Sequence, residues 1–128
     1  TVALAADAGE AGADAVAVIG PPYFVLDEQA QLAHFAAAAA ACAPLPFYVY
    51  EFARTSGYAV SLDVLARLRE QAANFAGMKV SDTPWEAFEP YTSVGVDVLV
   101  GPEALIHRGL RRGAGDLGAL GARGRGGR

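Results

Sequence analysis

Four short, nearly continuous apolar runs, residues 15–19, 47–50, 77–80 and 96–100, alternate with stretches of helical spacing, and this alternation narrows the fold more than any other feature of the chain. A strand that is apolar on both faces does not suit a half-solvated antiparallel sheet; it belongs where helices cover it or where strands enclose a shared interior. Residues 27–43, behind Leu26, carry Ala30, Leu32, Ala33 and Phe35 with Asp27 as the predicted N-cap. Residues 61–72 open on Ser61 and are predicted to bury Leu62, Leu65 and Leu68. Residues 84–91 place Pro84 in a first helical turn, with Thr83 or Asp82 as the cap ahead of it. A helix over residues 1–11 stops at Gly12, and a last one runs from Pro102 to about Arg112, punctuated by Gly109.

Helix and strand in strict alternation imply parallel strands joined by right-handed crossovers. Two architectures use that order. An open doubly wound sheet covers both faces with helices and would press Tyr50 and Lys79 into apolar layers. A (β/α)8 TIM barrel turns one face of every strand inward and gathers polar groups at the strand C-termini. No GxGxxG or GxxxxGK[ST] loop follows the first run, which weakens a nucleotide-binding open sheet. The expected architecture is therefore α/β, a partial TIM barrel of about four parallel strands. A whole barrel needs about 250 residues, and the chain opens in mid-helix without methionine, so a piece of a larger protein is expected.

Lys79 is the only lysine, whereas the nine other basic residues are arginine. It stands in the apolar run Phe75-Ala76-Gly77-Met78-Lys79-Val80. A primary amine can lose its proton and attack a carbonyl to form a Schiff base, which a guanidinium cannot do in practice. Desolvation favours the neutral nucleophile of any such amine. The competing reading is a strand-end lysine whose stem lies along apolar surface and whose head reaches water.

Hydrophobic residues make up 53 % of the chain, which places it among globular domains, although alanine supplies much of that figure. The longest apolar stretch, 35–43, is too short to span a bilayer. Cys42 is the single cysteine, which excludes an intrachain disulfide, and His34 and His107 lie far from it, so no zinc-ligand spacing exists. A reducing, cytoplasmic location is expected. Residues 1–107 hold 4 basic and 13 acidic side chains, whereas 108–128 hold 6 and 1. So acidic a body is a poor partner for nucleic acid or an anionic membrane. Residues 1–113 form the expected domain; 114–128, rich in glycine, alanine and arginine, are expected to be disordered, as a flexible tail or the product of a shifted reading frame.

The segment Pro46-Phe47-Tyr48-Val49-Tyr50 with Gly57, followed by Gly77-Met78-Lys79-Val80-Ser81-Asp82-Thr83, resembles the dihydrodipicolinate synthase and N-acetylneuraminate lyase family of class I aldolases. Gly12-Ala13-Asp14-Ala15 leading to Pro21-Pro22-Tyr23-Phe24, and Gly101 after the fourth run, extend the resemblance to about Gly113. It implies a barrel enzyme, a carbon–carbon lyase, in which Lys79 attacks the ketone of pyruvate or another 2-oxo acid and Tyr50 relays protons. No cofactor is implied, because the imine is itself the electron sink, and the full-length form is implied to be a homo-oligomer. Ser81, Gly101 and Glu103 take the positions of substrate-binding residues on the sialic acid lyase side of the family.

This sequence departs from the pattern at several places. Glu51, Phe52 and Ala53 stand where the synthases have asparagine and proline after the tyrosine. The synthases' arginine for the aldehyde carboxylate aligns with Thr55, and Arg54 lies one place earlier. Phe24 replaces a tyrosine that in many members joins the proton relay, often across a subunit interface. The Gly-Thr-Thr-Gly-Glu segment that grips the 2-oxo acid carboxylate does not occur in these residues, so the isolated chain is expected not to turn over substrate efficiently. The alternatives to an aldolase are a non-catalytic truncated product and a ligand-binding α/β domain.

Overall fold

In the computed structural model, which describes residues 1–116, the elements run α1 (Val2–Glu10), β1 (Val16–Ile19), α2 (Glu28–Cys42), β2 (Phe47–Glu51), α3 (Ala53–Ser56), α4 (Leu62–Gln71), β3 (Phe75–Val80), α5 (Trp85–Phe88), β4 (Asp97–Val100), α6 (Ile106–Arg111) and β5 (Gly115–Asp116). Short 3-10 turns, Glu89–Ser93 and Glu103–Leu105, extend α5 and introduce α6. The strand order is β1-β2-β3-β4-β5, with every neighbouring pair parallel. A doubly wound sheet reverses its order at a switch point. None occurs among the described strands, so the open-sheet alternative is overturned, and the consecutive order is that of a (β/α)8 barrel segment.

The two faces of the sheet differ as a barrel wall requires. Val16, Val18, Phe47, Val49, Met78, Val80, Val98 and Val100 join the helices in one continuous core. The register sets Ile19, Tyr50, Lys79 and Leu99 side by side on the other face, with Ala17, Tyr48, Gly77 and Asp97 in the row below. Between Phe47 and Tyr48 the pairing shifts, so that β2 advances one residue while β3 advances from Phe75 to Gly77. This bulge at Ala76 brings Gly77 and Lys79 onto the inner face.

The helices form where their caps and apolar spacings predict. In α2 the buried positions Gln31, Leu32, Phe35, Ala38, Ala39 and Cys42 recur at three- and four-residue intervals, and the small alanines let α2 pack closely on α1 and α4. Asp27 accepts a 2.8 Å bond from the Ala30 amide, and Ser61 caps α4 through the Val64 amide at 3.2 Å. Asp27→Ala removes a cap of ordinary geometry, and a loss of about 1 kcal/mol in a denaturant titration is the expected outcome.

Four expectations are corrected. Leu62 is 45 % exposed at the first position of α4, and Val64 fills the core with Leu65 and Leu68 instead. Pro84 is itself the N-cap of α5, without a side-chain cap, because the Asp82 carboxylate is engaged by amides of α3. The turn of helix α3, absent from the sequence reading, ends at Gly57, whose φ of 86° suits glycine. Finally, Gly115–Asp116 pair with Leu99 and Val100, so a fifth strand begins where none was expected. The rest of the anticipated tail, 117–128, lies outside the described residues. No helix among the described residues is long and apolar enough to cross a membrane.

Candidate active site

Tyr50 and Lys79 occupy the penultimate positions of β2 and β3 and are direct register partners. Because both point to the inner face, the side chains meet: the Lys79 Nζ lies 4.2 Å from the centroid of the Tyr50 ring. An amine cation over a phenol face is held by about 0.5–2 kcal/mol, more as water is removed. Lys79 is half-buried, neither snorkelled into open water nor sealed in a core. The amine rests on the ring face, while the Tyr50 hydroxyl accepts a 3.3 Å hydrogen bond from the Ser81 hydroxyl.

Gly101 completes this corner. Its amide donates to the Val80 carbonyl at 2.8 Å, continuing the β3–β4 pairing past the strand end. A side chain there would collide with the Ser81 Oγ and meet the Val80 carbonyl at 2.8 Å, so glycine lets Ser81 reach Tyr50. Lys79, Tyr50, Ser81 and Gly101 are thus brought together at one corner of the inner face.

Arg54 and Glu103 are not drawn into this group. Arg54 lies in α3 with its guanidinium 5.5 Å from the Phe52 ring centroid and its Nε 3.8 Å from Asp82. Glu103 opens the 3-10 turn after β4 and is exposed. Phe52, which the sequence reading noted only as a departure, stacks on Tyr50 at 5.9 Å with a 21° interplanar angle, extending an aromatic wall toward the mouth. On the loop after β1, Tyr23, Phe24 and Val25 are exposed at 92, 62 and 72 %.

The sequence reading missed a second group on the far side of the same strand ends. Strand alternation turns Glu51 away from Tyr50 and into the helix layer, where it is 1 % exposed. That alternation, applied to a glutamate ending an apolar run, was the signal available. Its Oε2 accepts the Val60 amide at 2.8 Å. Its pKa is raised from 4.5 to about 7, mostly by burial, against the pull of the Val60 amide and with the neighbouring Asp82 adding to the rise. Asp82, 5 % exposed, accepts the Ala53 amide at 2.6 Å and the Arg54 amide at 3.4 Å. Tyr91 donates to the Val60 carbonyl at 3.0 Å, and burial, with the charges of Glu51 and Asp82, raises its pKa. Since the folded pKa of Glu51 exceeds its unfolded value, its contribution to stability is whole below about 4.5 and is lost as pH rises through about 7.

Among the described residues no group of three or more His, Cys, Asp or Glu side chains is placed to hold a metal ion.

Comparison with known proteins agrees with this fold. An uncharacterized DapA-like lyase of Halobacterium salinarum is 37 % identical over 119 residues, covering 91 % of this chain and 38 % of that protein. The N-acetylneuraminate lyase of Rattus norvegicus is 38 % identical over 82 residues, 62 % of this chain and 26 % of the lyase. The chain therefore spans less than two fifths of the length of these relatives. The wild-type sialic acid aldolase of Ruminococcus gnavus superposes with a TM-score of 0.81 at 28 % identity, over 90 % of this chain and 39 % of that one. A variant of that aldolase altered at its catalytic lysine gives 0.82 at 27 %, with the same coverage. The sequence model of the Dihydrodipicolinate synthetase family matches residues 1–124, and the chain belongs to that family.

Proposed function

We propose that this chain carries the imine-forming part of a class I aldolase that acts on pyruvate or another 2-oxo acid. The observation that supports it best is the pairing of the only lysine in the chain with a tyrosine on the adjacent parallel strand, Nζ over ring at 4.2 Å, on the inner face of a barrel segment. The Ruminococcus gnavus aldolase is described as having a catalytic lysine, and Lys79 is this chain's one candidate for that position.

In the proposed reaction the neutral Lys79 amine adds to the ketone carbon, giving a carbinolamine that loses water to form the imine. Each step moves a proton, and the Tyr50 phenol with its Ser81 partner supplies a donor and acceptor beside the amine. The protonated imine then accepts the electron pair of the carbon–carbon bond that breaks, or supplies it in the reverse direction as the enamine. Hydrolysis returns the amine. Ser81 and Gly101 line the substrate near this centre, whereas Arg54 and Glu103, farther out, are left for the distal end of the substrate. The exposed Tyr23-Phe24-Val25 loop supports assembly as a homo-oligomer, and a cytoplasmic location is part of the same proposal.

Borohydride reduction in the presence of pyruvate tests the reading, since it converts an imine into a stable secondary amine. In the full-length protein one pyruvate-derived adduct per chain is expected, mapped by peptide mass spectrometry to Lys79. Only weak labelling is expected of the 128-residue chain alone. An adduct elsewhere, or none in the full-length protein, would exclude the mechanism.

A further inference from the structure

Ile19 and Leu99 stand on either side of Tyr50 and Lys79 in one row of the inner face, so the two reacting side chains are flanked by apolar ones. Strand alternation puts the residues two places farther on, Phe52, Ser81 and Gly101, at the next level toward the mouth. Ser81 carries the one polar side chain of these three, and it is already engaged, donating to the Tyr50 hydroxyl at 3.3 Å. Phe52 is the largest of them. Its ring stacks on Tyr50 at 5.9 Å with 21° between the planes, and it is half-buried, so part of it stays open to a ligand. The Arg54 guanidinium lies over Phe52 at 5.5 Å with its Nε 3.8 Å from Asp82, so its charge is paired away from Tyr50 and Lys79.

A polar group that leaves water and finds no partner costs free energy, whereas a flat apolar group gains by burial and by stacking. A hydroxylated or anionic chain next to the reacting carbon would meet Phe52, Ile19 and Leu99 rather than hydrogen-bonding groups. We propose that the second substrate is an aldehyde whose carbonyl carbon bears an aromatic or similarly flat apolar group, and that Phe52, extending the Tyr50 face, is the residue that selects it. The proposal rests on the reading of Lys79 as the imine-forming lysine and adds the class of the aldehyde to it. In the condensing direction the enamine carbon of the Lys79 adduct gives its electron pair to the aldehyde carbon. The carbonyl π pair moves onto the aldehyde oxygen, which takes the Tyr50 proton. Water then hydrolyses the iminium to the 4-hydroxy-2-oxo acid and the ammonium of Lys79, whose extra proton returns to Tyr50. Arg54 and Glu103, outside this level, leave the substituent nearest the reacting carbon to Phe52.

The test measures kcat/KM of the full-length protein for three aldehydes at saturating pyruvate: benzaldehyde, glyceraldehyde with its hydroxyls, and succinic semialdehyde with its carboxylate. Benzaldehyde is expected to be favoured over both by about tenfold, the scale of one good stacking contact, although conjugation makes it the least electrophilic of the three. Phe52→Leu keeps apolar bulk and loses the flat face, and the ratio of kcat/KM for benzaldehyde to that for glyceraldehyde is expected to fall by about fivefold to tenfold. In Phe52→Tyr the ratio is expected to stay near wild type. Any effect on imine formation is common to both aldehydes and cancels in the ratio, so a merely structural role for Phe52 would not move it. A preference for glyceraldehyde or succinic semialdehyde, or a ratio unmoved in Phe52→Leu, overturns the proposal; the wild-type preference decides alone if the leucine variant does not fold. Borohydride trapping with pyruvate needs no aldehyde and separates the two readings. Trapping at Lys79 without a benzaldehyde preference sinks the aromatic selection and keeps the aldolase; absence of trapping sinks both.

Discussion

Lys79→Arg is expected to abolish pyruvate trapping and to lower turnover of the full-length protein by on the order of 10⁴-fold or more, the scale on which loss of a nucleophile acts. Arginine makes the stringent substitution because it separates charge from nucleophilicity. A guanidinium keeps a cation over the Tyr50 ring, where Lys79 now sits at 4.2 Å, and stacks there at least as well. Folding and the aromatic wall should therefore survive, which a melting temperature close to wild type would verify. If Lys79 served only as a cationic anchor for the substrate carboxylate, arginine would retain much of the activity. Turnover within tenfold of wild type would end the Schiff-base interpretation.

Phe47→Ala is expected to destabilise the fold by about 3–5 kcal/mol, a large share of the 5–15 kcal/mol that holds a typical domain together. Phe47 is fully buried on the outer face of β2, between Val16 of β1 and Phe75 of β3 in register. Deleting the ring leaves a void that two strands and the helix layer must share, and rigid strand pairing limits how far it can collapse. A fall of at least about 10 °C in melting temperature is expected. A shift under a few degrees would mean that the sheet and helices are not packed as described.

The strands were legible because their outer face is apolar throughout and their inner face only sparsely polar, and each of the four runs was placed within two residues of its observed bounds. Tyr50 and Lys79 were legible because their residue types are out of keeping with such runs and their flanks resemble a known family. What stayed hidden depends on contacts between segments far apart in the chain. Asp82 read as a cap for the helix that follows it, yet it caps α3, which lies 28 and 29 residues earlier. Local spacing also placed Leu62 in the core, although the first turn of α4 faces outward there. Strand β5 was hidden because a glycine and an aspartate carry no β signal, and their pairing is imposed by the neighbouring β4.

Gly77 sets the reach of the proposed chemistry from below. It lies one row beneath Lys79 on the inner face, and a methyl group there would strike the Asp97 carbonyl and come within 2.8 Å of the Tyr48 Cε1. The space that a side chain at residue 77 would need is thus taken by the Tyr48 ring of the neighbouring strand. Under the proposed reaction, a lysine rooted one row above that ring has its amine directed sideways, over Tyr50, rather than down the inner face.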